Sequence, residues 1–222
     1  MWPAGILSVS SPDGGLIHLP LGVDTQTFRP VAETVRREIR DRLRLPQDRP
    51  VLLYVGRFSP DKDTALLLRT WMKIAEKRKE PWTGVMVGDG QMTEVVETFV
   101  RHHPNVRRVP FVKKPEELAD WYRAADLLIH PGRWETFGLV LLEAQACGCP
   151  VIGFRGGAMD EQAADLNSWS PERGSGGLAE AVVRKAHSLS ATDREQAARF
   201  VEGRFSWERT FRRQLEVYER NR

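Results

Sequence analysis

The sequence predicts an α/β fold: a Rossmann-like, doubly wound parallel sheet with helices on both faces. Short apolar runs alternate along the chain with longer stretches of helical periodicity. This alternation is typical of parallel strands that are joined by crossover helices and covered on both sides. A chain of 222 residues, 41% of them hydrophobic, can bury one sizeable core. We therefore expect a single α/β core with at most small appendages.

Taken in chain order, the apolar runs are predicted strands and the helical patterns between and after them are predicted helices. The predicted strands are 51–56, 84–88, 106–112, 126–130 and 151–154. The predicted helices are 64–78, 92–102, 115–125, 136–147, 177–189, 192–202 and 207–220. The sequence contains neither internal repeats nor low-complexity tracts.

The most informative segment follows the predicted strand 126–130. Pro131-Gly132 ends that strand, and Thr136 is a candidate N-cap of the next helix. Gly138 allows a ligand to approach the first helical amides, which are unpaired donors at the positive end of the helix dipole. Such a helix start suits a phosphate group.

Two carboxylates, Glu135 and Glu143, flank this helix start. Their separation along a helix is roughly 12 Å, about the span from a sugar ring across a diphosphate to a ribose. Glu135 can accept hydrogen bonds from hexose hydroxyls, and Glu143 from ribose hydroxyls. The pyrophosphate would then lie on the amides of Phe137, Gly138 and Leu139. Alternatively, Glu135 only favours a helix start and Glu143 is solvated, although a carboxylate with such apolar neighbours needs a partner.

This segment resembles the paired-glutamate motif of retaining glycosyltransferases with the GT-B fold, of the group 1 or family 4 type. That family includes bacterial mannosyl- and glucosyltransferases. Further segments that resemble the family's motifs, in the family's order, are 19–30, 55–62, 87–90, 156–157 and 205–208. The likeness extends over about 16–222 and is specific for the family rather than for the sugar.

The loop after the predicted strand 51–56 carries Gly56, Arg57 and Lys62. An arginine fork can grip phosphate oxygens, while lysine acts as a point charge. The resemblance implies that Arg57 and Lys62 hold the donor diphosphate and stabilise its charge as the glycosidic bond breaks. Without the resemblance, both can be ordinary surface cations. Where the family usually has glycine after the lysine, this chain has Asp63, which we take as the N-cap of the next helix.

Asp61-Lys62-Asp63 can instead be an Asp-x-Asp metal motif, as in the other main glycosyltransferase fold. Two aspartates around a lysine are common in loops, and the other motifs favour the GT-B family. We therefore expect leaving-group stabilisation by Arg57 and Lys62, with no metal ion required and no bound cofactor.

The part of the site that would contact the nucleobase is less clearly indicated by the sequence. The resemblance implies that Val112 borders the nucleobase and that Lys113 or Lys114 touches the base or a phosphate, although these can be a strand end with solvated lysines. Gly88 belongs to a loop that lies near the site in the family, but glycines on both sides of Asp89 also fit an ordinary turn.

Further residues are considered at or after the ends of predicted strands. His130 is expected to be a wall residue rather than a general base. Gly156-Gly157 resembles the family's diglycine loop. The continuation differs from the commoner Leu-Pro-Glu, and Glu161 is expected to take that glutamate's place.

Charge and cysteine content limit the partners. The formal net charge of +3 is compatible with a nucleoside diphosphate or an anionic membrane surface and too weak to indicate nucleic acid. Cys147 and Cys149 are expected to be buried thiols in a reducing cytoplasm, because two cysteines form no disulfide framework.

The sequence has no stretch of apolar residues that would cross a bilayer and no signal peptide pattern. We expect a cytoplasmic protein, with possible peripheral contact at the inner face of the membrane.

The resemblance divides the chain into three parts. Residues 1–15 would be a remnant or linker from a missing N-terminal half, 16–205 the nucleotide-sugar domain, and 206–222 the C-terminal crossover helix. The missing half binds the acceptor in complete enzymes of the family. Because transfer needs donor and acceptor held together, the chain alone is expected to bind a sugar nucleotide and transfer poorly.

The resemblance thus implies a retaining hexosyltransferase half that uses GDP-, UDP- or ADP-hexose, with mannose or glucose favoured. Its acceptor would be a hydroxyl of a glycan or lipid in cell-envelope glycan, glycolipid or polysaccharide synthesis. Two alternatives stay open. One is a non-catalytic sugar-nucleotide-binding module that needs a partner chain, and the other is a nucleotide-sugar epimerase with the GT-B fold.

Overall fold

The computed structural model describes residues 6–10, 16–132, 138–156, 158–164, 169–170 and 172–220. The strands are β1 (Ile6–Ser10), β2 (Leu16–Pro20), β3 (Val51–Val55), β4 (Thr83–Val87), β5 (Val106–Val109), β6 (Leu127–His130) and β7 (Val151–Gly153). The helices are α1 (Glu33–Arg42), α2 (Thr64–Lys77), α3 (Thr93–His102), α4 (Pro115–Ala124), α5 (Leu139–Ala146), α6 (Ala158–Gln162), α7 (Ser175–Ser188), α8 (Ala191–Phe205) and α9 (Trp207–Arg220).

A five-stranded parallel sheet with the order β5-β4-β3-β6-β7 forms the centre of the fold. The chain adds β4 and β5 on one side of β3, and then returns to add β6 and β7 on the other side. The direction of winding therefore reverses between β3 and β6. In doubly wound sheets, ligands bind at such a switch point, outside the carboxyl ends of the strands.

The two faces of the sheet bury separate apolar clusters. Residues of β3 alternate between them, with Leu53 in one cluster and Leu52 and Tyr54 in the other. Helices α1, α4, α5 and α8 cover the first face, and α2, α3 and α7 cover the second. Representative buried side chains of the helices are Ile39, Ala119, Leu141 and Val201 on the first face and Leu67, Val96 and Leu178 on the second. The predicted doubly wound α/β class is confirmed.

The predicted strands are all present, and β5 departs most from its predicted length. It ends at Val109, so Val112 lies beyond the sheet rather than at a strand end. Pro110 has no N–H to donate to the ladder, which explains the end of the strand. The next amide, that of Phe111, donates to a carboxylate of Asp89 at 2.8 Å instead of to a strand.

Helix α5 begins three residues later than predicted, at Leu139 rather than at residue 136. Gly138 occupies the N-cap position in a left-handed conformation, with φ +57° and ψ 30°. A residue in that conformation cannot be part of a right-handed helix, so the helix starts after it. Thr136, the predicted N-cap, lies outside the described residues.

Three features were not predicted. The strands β1 and β2 pair with each other in antiparallel register, in a region expected to hold a linker and a motif. Helix α1 was missed because its buried side carries Arg36 and Arg40 beside Ile39, which hides the amphipathic pattern. Helix α6 is a short turn of helix after β7. None of the helices in the described part of the chain is long and apolar enough to cross a membrane.

Asp126, just before β6, joins several of these elements. Its two carboxylate oxygens accept hydrogen bonds from Arg36 and Arg40 of α1, each at 2.6 Å. One of these oxygens also accepts from the amide of Val51, the first residue of β3, at 2.7 Å. Both arginines are buried, so their charges depend on this carboxylate.

Asp126→Ala is expected to lower the free energy of unfolding by about 3 to 5 kcal/mol, because it leaves two buried guanidinium groups without their counter-ion. The measurement is urea unfolding followed by circular dichroism. Asp48→Ala is the control, since Asp48 pairs with Arg49 on the surface and its loss should leave the urea midpoint unchanged. Similar midpoints for the two variants would contradict the role given to Asp126.

Candidate functional site

Among the residues singled out in the sequence, Gly56, Arg57, Lys62, Gly88 and Val112 lie on loops that follow the carboxyl ends of β3, β4 and β5. The chain after β6 leads to α5. The loop after β3 and the start of α5 belong to adjacent strands, on the two sides of the switch point. The predicted diphosphate-binding loop and the predicted phosphate-binding helix start therefore follow neighbouring strands, and a shared site between them stays a prediction.

The loop after β3 carries both predicted cations. Lys62 ends a short 3-10 turn, Pro60–Lys62. Arg57 is mostly exposed, and its guanidinium donates to the carboxylate of Asp61 at 2.9 Å. Ion pairs between exposed side chains contribute little to stability, so an incoming anion can replace Asp61 at low cost.

The backbone of this loop is held more firmly than its charged side chains. The Tyr54 hydroxyl donates to the carbonyl of Arg57 at 3.1 Å, and the Tyr54 ring stacks on Phe58. Phe58 is fully buried, its amide donates to the carbonyl of Asp89 at 2.9 Å, and its carbonyl accepts from Met92 at 3.0 Å. The loop is thus anchored by a buried ring and by the loop that follows β4.

Asp63 has a different role from the predicted one. It precedes α2, as an N-cap does, but its side chain makes no capping hydrogen bond. Its backbone is left-handed, with φ +53° and ψ 36°. Glycine adopts that conformation without strain, and aspartate tolerates it better than most residues. This explains in physical terms why a glycine fits the same position in the family that the motif resembles.

Gly88 and Gly90 allow the loops after β3 and β4 to touch. A Cβ atom on Gly88 would lie 2.0 Å from the carbonyl oxygen of Gly56. A Cβ atom on Gly90 would lie 2.4 Å from the carbonyl oxygen of Phe58. Close backbone packing therefore accounts for both glycines, and a ligand contact of Gly56 or Gly88 stays a prediction.

The loop after β5 presents one residue that sequence reasoning missed. Val112 is partly buried against the core, as a wall of a pocket would be. Phe111 is 64% exposed although it is large and apolar. Its signal in the sequence was an aromatic residue directly after Pro110, at the end of a strand. Lys113 and Lys114 are exposed, and Lys114 pairs with Glu117 of α4 at 2.9 Å.

The segment 133–137, with Glu135, Thr136 and Phe137, lies outside the described residues, and their predicted roles stay predictions. On its two sides the chain is buried. His130 ends β6 and is 4% exposed, which fits a wall residue. Gly138 is also buried, and it leads directly into α5.

The first turn of α5 supplies backbone donors. Leu141 is the first residue whose amide bonds back to the turn, to the carbonyl of Gly138 at 2.9 Å. The amides of Leu139 and Val140 precede that bond, as the unpaired amides at a helix start do. The helix thus starts two residues after Phe137, and the phosphate contact of the Leu139 amide stays a prediction.

Glu143 lies one turn further along α5 and is not a solvated helix residue. Its Oε2 accepts a hydrogen bond from the hydroxyl of Tyr122 on α4 at 2.9 Å. Burial raises the pKa of Glu143, and the hydrogen bond from Tyr122 partly opposes this. Burial, followed by the charge of Glu143, also raises the pKa of Tyr122. Tyr122 was not predicted, because it lies 21 residues from Glu143 in the sequence.

The segment after β7 is only partly described. Gly156 has φ +117°, and Gly157 lies outside the described residues. Glu161, on α6, is exposed. Its predicted role near the site stays a prediction.

The described residues contain no group of three or more His, Cys, Asp or Glu side chains that could hold a metal ion. Asp61, of the alternative metal motif, pairs with Arg57. Cys147 and Cys149 are free and buried, and burial raises the pKa of the Cys149 thiol to about 12. The requirement for a metal ion stays open to experiment.

Comparison with known sequences gives one family. The family model described as glycosyl transferases group 1 matches residues 35–202. The D-inositol 3-phosphate glycosyltransferase 2 of Catenulispora acidiphila is 37% identical over 217 residues, which cover 90% of this chain and 49% of that protein. The D-inositol 3-phosphate glycosyltransferase of Xylanimonas cellulosilytica is 36% identical over 214 residues, 91% of this chain and 51% of that protein. The chain spans about half the length of these relatives.

Solved structures of other proteins resemble this chain in fold. Sucrose-phosphate synthase from Thermosynechococcus elongatus superposes with a TM-score of 0.75 at 26% identity, covering 91% of this chain and 51% of that chain. HepE from Anabaena, in complex with UDP-glucose, gives 0.74 at 19% identity, covering 90% and 56%. The C-terminal domain of the group 1 protein LpcC from Francisella tularensis gives 0.69 at 22% identity, covering 84% and 100%. The last two likenesses concern the fold alone.

Asp63→Gly is expected to raise the free energy of unfolding by about 0.5 to 1 kcal/mol, because glycine adopts the left-handed backbone without strain. The measurement is urea unfolding of the variant and the parent chain. Asp63→Ala is the control, and it should give no gain because alanine keeps a Cβ atom. Loss of stability in both variants would show instead that the Asp63 side chain caps α2.

Proposed function

Because the chain belongs to the glycosyl transferases group 1 family, we propose that it is the donor-binding half of a retaining hexosyltransferase. It binds a nucleoside-diphosphate hexose, with mannose or glucose favoured, and passes the hexose to an acceptor hydroxyl with the anomeric configuration kept. The observation that carries the proposal is the placement of two candidate anion-binding elements after adjacent strands, on the two sides of the switch point. These elements are the loop with Arg57 and Lys62 and the first turn of α5.

Three groups of donors are proposed to contact the diphosphate of the sugar nucleotide. Arg57 is exposed and held by a weak surface ion pair, so it is available to a phosphate. Lys62 adds a second charge from the same loop. The amides of Leu139 and Val140 are donors at the positive end of the α5 dipole. Together these groups stabilise the negative charge that grows on the leaving diphosphate as the glycosidic bond breaks.

The two glutamates orient the sugars on either side of the diphosphate. Tyr122 fixes the carboxylate of Glu143, which is therefore a preorganised acceptor for the two hydroxyls of a ribose. Glu135 orients the hexose in this proposal. In this proposal Gly56 and Gly88, where the backbones of two loops touch, border the diphosphate.

Val112 borders the nucleobase, because it lies on the loop after β5, on the far side of β4 from the diphosphate loop. The complex of HepE with UDP-glucose supports a nucleoside-diphosphate hexose as the donor class. The base itself and the independence from metal ions remain part of the proposal, as does a cytoplasmic site of action at the membrane surface.

The acceptor half would dock on α9. Helix α9 exposes three large apolar or aromatic side chains in one stripe, Phe211, Leu215 and Tyr218. Trp207 stacks on Phe211 at the start of this stripe. The curated relatives are about twice as long as this chain, so an N-terminal half or a partner chain is the proposed cover. In this arrangement 16–205 is the donor domain, and 206–222 crosses to the half that binds a glycan or lipid acceptor.

Calorimetric titration with UDP-, GDP- and ADP-hexoses tests the donor site. One nucleotide is expected to bind saturably, and Arg57→Ala/Lys62→Ala should weaken binding at least about a hundredfold, because it removes two charge-assisted contacts. Glu143→Ala should weaken it about tenfold or more through the lost ribose contacts.

Arg49→Ala is the matched control for that titration, since Arg49 also forms a surface ion pair with a neighbouring aspartate. Its affinity should equal that of the parent chain. If the folded parent chain binds none of the donors, or binds one equally well without Arg57 and Lys62, the proposed donor site is wrong.

Donor affinity is expected to depend on pH through Glu143. Burial raises the pKa of Glu143 above its ordinary 4.5, so the carboxyl is protonated at a higher pH than an exposed glutamate. Because only the carboxylate accepts two ribose hydrogen bonds, affinity should fall as pH is lowered, beginning above pH 4.5. Glu143→Gln cannot titrate and should bind more weakly with a flat profile. If Glu143→Gln shows the same pH dependence of affinity as the parent chain, another group causes the effect.

A further inference from the structure

Asp89, between Gly88 and Gly90 on the loop after β4, has no role in the site as proposed so far. Its carboxylate Oδ2 accepts a hydrogen bond from the amide of Phe111 at 2.8 Å. Its Oδ1 pairs with the guanidinium of Arg108 on β5. The hydrogen bond from Phe111, followed by Arg108, lowers the pKa of Asp89, so the group is ionised at neutral pH. Its side chain therefore ties the loop after β5 to the loop after β4.

The backbone of Asp89 is bonded in the opposite direction. Its carbonyl accepts from the amide of Phe58, on the loop after β3, at 2.9 Å. The neighbouring glycines bring the same two loops into backbone contact at Gly56 and Phe58. A single residue thus touches both of the loops that flank its own.

An ordinary turn does not account for this arrangement. In a simple aspartate turn, the side chain bonds to a backbone amide of its own turn. Here the amide of Gly90 is taken by the hydroxyl of Thr93 at 2.9 Å. The Asp89 carboxylate reaches an amide 22 residues further along the chain. Its geometry serves a contact between loops rather than the turn in which it lies.

We infer that Asp89 is a positioning residue that sets the spacing between the loop of Arg57 and Lys62 and the loop of Phe111 and Val112. The inference rests on the proposed function, in which the first loop binds the diphosphate and the second borders the nucleobase. A nucleoside diphosphate that touches both loops gains affinity when their spacing is fixed in advance. Inorganic pyrophosphate contacts the first loop and the start of α5 but not the second loop, so it gains nothing from Asp89.

The test compares two ligands in four proteins by calorimetry: the parent chain, Asp89→Ala, Asp89→Asn and Glu97→Ala. The ligands are inorganic pyrophosphate and the nucleoside diphosphate that the parent chain prefers. Asp89→Ala should lower the affinity for the nucleoside diphosphate about tenfold, because one charge-assisted hydrogen bond between the loops is lost. The affinity for pyrophosphate should stay unchanged. Asp89→Asn keeps an oxygen that accepts from Phe111, so its affinity should stay within about threefold of the parent.

Glu97→Ala is the matched control. Glu97 also pairs with Arg108, at 2.8 Å, and is as exposed as Asp89, but the amide of Phe111 donates to Asp89 and not to Glu97. Its affinities should equal those of the parent chain. Equal weakening of both ligands by Asp89→Ala, or no weakening of the nucleoside diphosphate, would overturn the inference while leaving the donor site intact. A parent chain that binds neither ligand would overturn the proposed function and the inference with it.

Discussion

The pairing of Asp126 with two buried arginines is the interaction on which the rest of the fold depends. Burying a guanidinium group is costly unless a counter-ion and acceptors are supplied, and α1 buries two of them. Asp126 supplies the charge to Arg36 and Arg40, and carbonyls at the end of α4 supply further acceptors. Arg194 of α8 donates to two of the same group of carbonyls, so the end of α4 is capped by arginines from two helices. Three helices and the starts of two strands are thereby fixed at one point.

This fixed point lies at the amino ends of the strands, whereas the candidate site lies at their carboxyl ends. The scaffold is therefore most constrained where no ligand contact is proposed, and the loops at the other edge are free to carry binding groups. The loops after β3, β4 and β5 are held together, because Phe58 anchors the first in the core and Asp89, on the second, bonds to the first and the third. Backbone bonds hold the loops in place, while the side chain of Arg57 remains exposed and weakly paired.

The local patterns in the sequence were sufficient for the sheet and insufficient for the long-range contacts. Alternation of apolar runs and helices predicted each strand of the parallel sheet, because buried parallel strands have a distinct composition. The same rule missed α1, whose buried face contains two arginines that Asp126 and backbone carbonyls stabilise. Within the site, spacing placed Arg57 and Lys62 on one loop, and apolar neighbours predicted the burial of Glu143. Tyr122 and Asp89 could not be predicted, since their partners lie 21 and 22 residues away.

The start of α5 was misjudged by three residues, whereas α2 begins at Thr64 as predicted, and the cause at α5 bears on the site. Asp63 directly precedes α2 and Gly138 directly precedes α5, and both residues have a left-handed backbone conformation. Both helices begin near the switch point. A left-handed residue turns the chain sharply, so that the helix begins directly at the end of a loop rather than after an extended cap. For α5 this places the first helical residue at Leu139, three residues nearer to Glu143 than predicted. The distance from the proposed phosphate-binding amides to Glu143, the proposed ribose contact, thus depends on the conformation of Gly138, which residue counting along an assumed helix could not supply.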